Sequence, residues 1–521
     1  MTKNFTMREA AEHVVNVLFA EGNGVESYLA GGAVRDLLRG EEPHDFDVAT
    51  AMVPEDVAKV FPDNYDFVGA HFGVSLLKFG NVTVEVATFR TEESYSDGRH
   101  PDDVKYTTSA EEDAKRRDLT VNALFMLPNG AVVDYVNGQE DLKNKVVRCV
   151  GDPDKRFQED GLRLLRAVRF CATLDFTMAP ETFAAVKRNA HLVQNVSVER
   201  VAIELEKMLT SGHADVAYDL LLDTGLATYI IPELCAFVGC EHRSPKYHPE
   251  GDVANHVRGL LKGLPKDCSV TLALAALLHD VGKPATLAVK EDRNTFYGHE
   301  QVGAGMAKDI LRRLKFSNDV VDTVVSHVRN HMMFFVAPQM KKSKVFHFAK
   351  TREFDELLAL HRLDAGSSSK DCSTAEFMET FLKENAEKLR SPRLVNGDDL
   401  VAMGYTPGPG FKVLLETVEN AQFEGTATTR EEALAFAKKR AKSVLGKTKV
   451  KVPTYPIIRV GDWVKVKFDS EVQPNQVGRV IRECQYPPYE FVVQFNHMYA
   501  MKRDQLEILS DEEAMIYILE R

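Results

Sequence analysis

Asp45 and Asp47, two residues apart in HDFDVAT, are the first side chains in this sequence whose types and spacing suggest chemistry. On a strand, carboxylates at i and i+2 point to one face, and two like charges side by side need solvent or a cation to screen them. Taken alone, a solvated strand face is at least as good a reading as a metal site. Glu85 shifts the balance: it is centred in VTVEVATF among apolar and β-branched neighbours, and an acid within a buried strand needs a partner. Three carboxylates from two neighbouring strands would hold two Mg2+ ions for phosphoryl transfer. Gly31 and Gly32 supply a turn whose backbone can approach triphosphate oxygens closely, and Arg35 adds positive charge there.

A second set of candidates lies downstream. LALAALLHDVGKPAT closes an apolar helix with His279 and Asp280, a pairing that by itself is no more than a histidine set against a helix dipole. His256 in YHPEGDVANHV and Asp364 in LHRLDAGSSS widen it into a spaced series of histidines and acids. Such ligands suit Mn2+, Ni2+, Zn2+ or iron, and Mg2+ where water fills the remaining positions. His299, His327 and His331 add three imidazoles, each as readily a satisfied structural histidine as a ligand.

These groups need elements to hold them. Between Ser27 and about Val150, short β-rich runs such as DFDVAT, GVSLLKF and VTVEVATF alternate with a helical AVRDLLRG, which predicts a mixed sheet with helices. From about Gly151 to Asn385 helical periodicity takes over. After a turn-rich GYTPGPGF comes the helical TREEALAFAKKRAKSVL, with Thr428 or Thr429 as N-cap. Alternation resumes around Trp463, with Val464, Val466 and Phe468 as a core and Lys465, Lys467, Arg479 and Arg482 on the other side, a pattern that predicts a small barrel. The expected division is 1–150, 151–235, 236–390, 391–450 and 451–521, an α+β chain whose sheet-bearing head is followed by a helical body and a β tail.

With 521 residues, 44% hydrophobic and 27% charged, the chain has the composition of a soluble multidomain protein. It contains no apolar run long enough to span a membrane and no signal-peptide pattern at its start, so a cytoplasmic location is expected. Seven scattered cysteines without a CxxC pair argue against a disulfide framework. The net charge of −12 disfavours nucleic-acid binding by the whole surface, but not a local groove built from the arginines of KRRD and LRLLRAVRF. Oligomeric state cannot be read from these features.

LAGGAVRDLLRG, HDFDVAT, VEVATFR, RRDLTVNALF, RFQEDGLRLLRAVRF and VSVERVAIELEKML occur in register from about residue 26 to 232. Together they closely resemble the class II tRNA nucleotidyltransferase and bacterial poly(A) polymerase family. The resemblance implies a nucleotidyltransferase head of the DNA polymerase beta type, in which Asp45 and Asp47 bind two Mg2+ ions and Glu85 is the third acid. It also implies triphosphate contacts from Gly31, Gly32 and Arg35, and ribose recognition by Arg117, Asp118 and Asn122. The family's usual Phe is Leu119 here, a change expected to affect packing only. Asp160 and Arg163, three apart on a helix, occupy the positions of the family's protein template. Asp accepts from the exocyclic amine of C or A, Arg donates to the adjoining ring atom, and the carbonyl of U or G is rejected. Arg166 and Arg169 would continue the basic stripe, and Glu159 would orient the pair. The His256, His279, Asp280, Asp364 series resembles the HD phosphohydrolase superfamily, implying a metal-dependent phosphatase or 2′,3′-cyclic phosphodiesterase used in 3′-end repair.

The leading expectation is therefore addition of C, C and A to the 3′ end of tRNA from CTP and ATP. A poly(A) polymerase is disfavoured because VGAHFGV lacks the basic pair typical after the corresponding glycine. The long TEESYSDGRHPDDVKYTT can contain the flexible loop that adding A requires. An A-adding-only enzyme stays open, as does, in another class, a hydrolase or RNA-binding regulator with a silent polymerase head. Stretch 391–450 is expected to complete the RNA-binding body.

Overall fold

The computed structural model describes residues 5–22, 24–66, 73–93, 103–242, 251–290, 293–368 and 371–444, together with five C-terminal strands between 463 and 509. Much of VGAHFGV and TEESYSDGRHPDDVKYTT, and the start of YHPEGDVANHV, lie outside the described residues. Two compact units divide the chain, residues 1–392 and 393–521.

The first unit opens on a helix, Met7–Glu21, started by a capping box in which Thr6 and Glu9 exchange hydrogen bonds. Its apolar positions Ala10, Ala11, Val14 and Leu18 recur at helical spacing and are buried. They pack on a sheet whose strands are β1 (Ser27–Ala30), β2 (Asp47–Thr50), β3 (Tyr65–Asp66), β4 (Val74–Phe79), β5 (Val82–Thr88), β8 (Phe125–Met126) and β9 (Val132–Val133). The spatial order is β3-β4-β5-β2-β1-β8-β9; a separate hairpin pairs β6 (Arg90–Glu93) with β7 (Asp103–Tyr106). The sheet is mixed: β2 and β5 run parallel, with Asp47 opposite Glu85, while β1 pairs antiparallel with β2 and β8. Val48, Leu77, Val84 and Val86 of the sheet join Val14 and Leu18 of the helix in one buried cluster.

From Pro153 onward the unit is helical, apart from a short parallel pair, Val146–Val147 with Thr177–Met178, and a hairpin, Ala288–Val289 with Asn294–Thr295. The helices Pro153–Glu159, Leu162–Leu174 and Val198–Leu209 follow the head, and Leu162–Leu174 packs along Val198–Leu209. The helices Val253–Lys262, Val270–Leu278, His299–Arg313, Asn318–Asn330 and Phe354–Ser367 form the remaining bundle, in which His299–Arg313 and Asn318–Asn330 make the most extensive pairing.

The second unit contains Gly397–Ala402, Pro409–Glu424 and Arg430–Val444, joined by a core that includes Leu400, Leu414, Val418, Ala433 and Ala437. Thr429 is the N-cap of the last helix: its hydroxyl accepts from Glu432 N at 3.2 Å, and the Glu432 carboxylate accepts from Thr429 N in return. The C-terminal strands form a five-stranded antiparallel sheet in which Trp463–Val466 lies between Val477–Glu483 and Leu506–Leu509. Among the described residues, no helix is long and apolar enough to cross a membrane.

Candidate functional site

Gly31 has φ +69°, a left-handed conformation that lets β1 turn directly into the helix Gly32–Arg39. The turn places both glycines and Arg35 on the wall of a cavity of about 640 Å³, which Asp45, Asp47 and Glu85 also line. Two details differ from expectation. Asp45 sits just before β2 rather than on it, so only Asp47 is held by the sheet. Glu85 is exposed, because the alternation of β5 buries Val84 and Val86 on one face and turns the acid toward the cavity on the other. Its apolar neighbours mark one buried face, not two. The Asp47 carboxyl is pushed up to about 6 by burial and by the charges of Asp45 and Glu85, with Arg117 opposing. That is an anionic cluster short of positive charge, and it suits a cation.

Arg35 donates to Asn122 Oδ1 at 2.7 Å, which fixes the amide's orientation and leaves Asn122 Nδ2 buried without a hydrogen-bond partner. Arg117 donates to the Asn122 carbonyl at 3.2 Å and is braced by Asp113, a buried acid that motif spacing does not reveal and that also pairs with Arg116. Burial alone would raise the Asp118 carboxyl, but Arg166 at 2.6 Å holds it below the usual range. Leu119 is buried, in keeping with a packing role.

Asp160 and Arg163 line the same cavity but do not share a helix. Asp160 is extended, at φ −146° and ψ 111°, in the break between Pro153–Glu159 and Leu162–Leu174. Its Oδ1 accepts from Leu162 N at 2.9 Å, as a capping acid does, and its Oδ2 accepts from Arg200 Nη2 at 2.9 Å. Arg163 is bound instead by Glu159, at 2.5 Å, and by the carbonyls of Arg156 and Arg116. Arg166 and Arg169 also line the cavity, paired with Asp118 and Glu204 rather than forming a free basic stripe. Arg200 carries no signal of its own in the sequence, although VSVERVAIELEKML contains it.

The second centre is built by helix ends. His256 lies within Val253–Lys262, His279 and Asp280 close Val270–Leu278, His299 opens the next long helix, His331 follows Asn318–Asn330, and Asp364 lies within Phe354–Ser367. A side chain at Gly282 would collide with His299 O at 2.2 Å, so glycine is what lets this helix start against the HD turn. The ligand atoms of His256, His279 and Asp364 lie within 4.8 Å of one another, as do those of Asp280, His299 and His331. The head acids are not among the groups that close so tightly.

The histidines show why this centre suits metal. Nδ1 of His279, His299 and His331 faces a backbone carbonyl at 3.0, 2.8 and 2.7 Å, so each carries its proton there. The Nε2 lone pairs of His299 and His331 consequently face each other at 3.2 Å, and that of His279 points to His256 Nε2 at 3.2 Å, an atom that also lies 3.2 Å from Asp364 Oδ1. Facing lone pairs repel unless a cation lies among them. Burial lowers His331 to about 3, keeping it a neutral donor atom. Asp280 Oδ2 is buried and accepts no hydrogen bond of directional geometry, although Lys283 Nζ lies 2.7 Å away. His327 points elsewhere, to Glu356 at 3.2 Å. Lys283 and its neighbour His242, 2.9 Å apart, complete the surroundings without a motif to announce them.

Profiles described as "Poly A polymerase head domain", "Probable RNA and SrmB- binding site of polymerase A" and "HD domain" match residues 27–148, 175–238 and 251–364. The chain is 31% identical over 414 residues to the CCA-adding enzyme of Streptococcus thermophilus strain CNRZ 1066, covering 79% of this chain and 92% of that relative. The chain belongs to the CCA-adding enzyme family. To the CCA-adding enzyme of Lactobacillus helveticus strain DPC 4571 it is 45% identical over 207 residues, 40% of this chain and 52% of the relative. It thus spans about half the length of that family member and of several similar ones. A crystal structure of the Bacillus stearothermophilus CCA-adding enzyme in complex with CTP matches with a TM-score of 0.64 and 27% identity, covering 84% of this chain and 99% of that one. A Thermotoga maritima CCA-adding enzyme complexed with tRNA shares the fold, at 19% identity and a TM-score of 0.56, over 82% of this chain and 94% of that one.

Proposed function

We propose that this chain adds C, C and A to the 3′ end of tRNA from CTP and ATP, without a nucleic-acid template. The observation that carries this reading is one cavity lined by the head acids Asp45, Asp47 and Glu85 together with Asp160 and Arg163 of the segment that follows. Asp45, Asp47 and Glu85 would hold two Mg2+ ions, which would supply Lewis-acid and electrostatic stabilisation for phosphoryl transfer. Backbone at Gly31 and Gly32 admits the triphosphate, and Arg35 adds charge beside it. Arg117 and Asp118 position the nucleotide, and the unpartnered Nδ2 of Asn122 donates to a ribose hydroxyl. Asp160 and Arg163 read the base edge. Arg166 and Arg169 line the groove and brace Asp118 and Glu204.

The test offers tRNA ending at the discriminator base, in C, or in CC, with each nucleotide singly and Mg2+. Stepwise addition of C, C and then A is expected. A-only extension of CC ends would replace this reading with an A-adding enzyme, unlimited A addition with a poly(A) polymerase, and failure on every end with a silent head. Asp160→Ala should retain the fold and lose nucleotide discrimination with most transfer.

The inward Nε2 atoms favour a second activity in the same chain. We infer that His256, His279, Asp280 and Asp364, with His299 and His331, hold divalent metal such as Mn2+, Ni2+ or Mg2+ and hydrolyse a phosphomonoester or 2′,3′-cyclic phosphate at damaged RNA ends. A His279→Ala, Asp280→Ala variant should lose cyclic-phosphate hydrolysis and keep nucleotide transfer; unchanged release would show a domain kept for packing. For the C-terminal sheet, return of Leu506–Leu509 to the first strand supports closure into an SH3-like barrel.

A further inference from the structure

The helix Val198–Leu209 grips the base-reading segment at two points. Arg200 and Glu204, one turn apart on its surface, bond Asp160 at 2.9 Å and Arg169 at 2.6 Å. Both grips end on side chains that line the nucleotide cavity, and Arg200 lines it as well. Asp160 stands in an extended break between two helices, where the helix that follows holds its side chain only through Leu162 N–H. Leu162 N–H occupies Oδ1, and Arg200 occupies one lone pair of Oδ2. The remaining acceptor capacity of Oδ2 is then oriented by two bonds at once. Arg163, by contrast, is fixed from a different side, by Glu159 and two backbone carbonyls.

We propose that Arg200 is a positioning residue for base selection: it holds the Asp160 carboxylate as a fixed acceptor for an exocyclic amine. This rests on the reading of Asp160 and Arg163 as the base-reading pair. A rotating carboxylate could turn away from the carbonyl of U or G, and the repulsion that rejects those bases would be relieved. A fixed one cannot. The selectivity therefore depends on the neck helix as well as on the two residues that face the base. Arg→Lys keeps the charge but replaces a planar fork with a single ammonium, so it should restore only part of the effect.

The experiment uses the full chain, purified as Arg200→Ala, Arg200→Lys and Asp160→Ala, with tRNA ending in C and with CTP and UTP in separate reactions. Arg200→Ala is expected to lower the CTP-to-UTP ratio of kcat/KM about tenfold or more, mainly by raising KM for CTP. Arg200→Lys should fall between it and the parent. CTP affinity, measured by calorimetry without tRNA, should weaken in the same order. An equal loss for both nucleotides, with the ratio unchanged in Arg200→Ala but collapsed in Asp160→Ala, would overturn the proposal and leave the base-reading pair intact. An unchanged ratio in Asp160→Ala would instead remove the pair on which it rests. Matching far-ultraviolet circular dichroism and melting curves exclude misfolding as the cause of either result.

Discussion

At the scale of single residues, the head is governed by charge that the protein does not itself neutralise. Asp47 titrates near 6 in the folded chain against about 4 when unfolded. A raised folded value means that protonation favours the native state. Its stabilising contribution is fully present below about pH 4 and lost as the pH rises through about 6. Melting temperature of metal-stripped protein should therefore decline across that window, the Asp47→Asn variant should decline less, and added Mg2+ should offset the loss. Asn122 gives a second prediction. Replacing it with Ala removes one hydrogen bond to the nucleotide and also the Oδ1 acceptor that anchors Arg35, so KM for CTP and ATP should rise about tenfold or more. Because Nδ2 does not face the base in the proposed reading, steady-state kinetics should show an unchanged C-to-U preference.

At the scale of elements, several of the site residues stand where regular structure stops. Asp160 lies between helices, His279 and His331 follow helix ends, and Gly31 breaks a strand into a helix. This explains what is legible in the sequence and what is not. Spacing and residue type single out the acids, glycines and histidines as candidates, because like charges and missing side chains declare themselves locally, but the roles given to them come from the family resemblance. Placing Asp160 on a helix fails because a three-residue spacing is helical only if the helix is continuous. Arg200 and Asp113 escape notice for other reasons: an ion pair spanning forty residues has no local signature, and an acid in a charged helix looks like a solvated one. Gly282 carries an element-scale prediction. Gly282→Ala sets a methyl against the His299 carbonyl, and overpacking of this kind costs about 1–3 kcal/mol. Metal analysis should find less ion at the HD centre, while nucleotide transfer is unchanged.

At the scale of the whole molecule, two centres with different ligand chemistry share the first 392 residues. Oxygen-only ligands in the head suit a hard ion, whereas the imidazoles of the HD centre suit a softer one. Adding Mn2+ or Ni2+ to stripped protein should raise the melting transition of the HD helices, by about 2.7 kcal/mol of stability at a hundredfold excess over Kd. The same concentration of Mg2+ should have a smaller effect, and His331→Ala should remove the difference in differential scanning calorimetry. The order of mixed sheet, helical body and β tail is readable from periodicity alone. The net charge of −12 offers no such guide, since the arginines of the cavity are set by folding rather than by composition.

Arg163 and Asp160 are secured by different partners, one by Glu159 and the carbonyls of Arg156 and Arg116, the other by Leu162 N–H and by Arg200 from a distant helix. Their mistakes should accordingly be separable. Loosening the acid would forgive a base that lacks only its amine, such as a pyrimidinone nucleotide, while loosening the arginine would forgive one that lacks only its ring nitrogen, such as a deaza analogue. Copying errors at a tRNA end would then carry the signature of the anchor that had slipped.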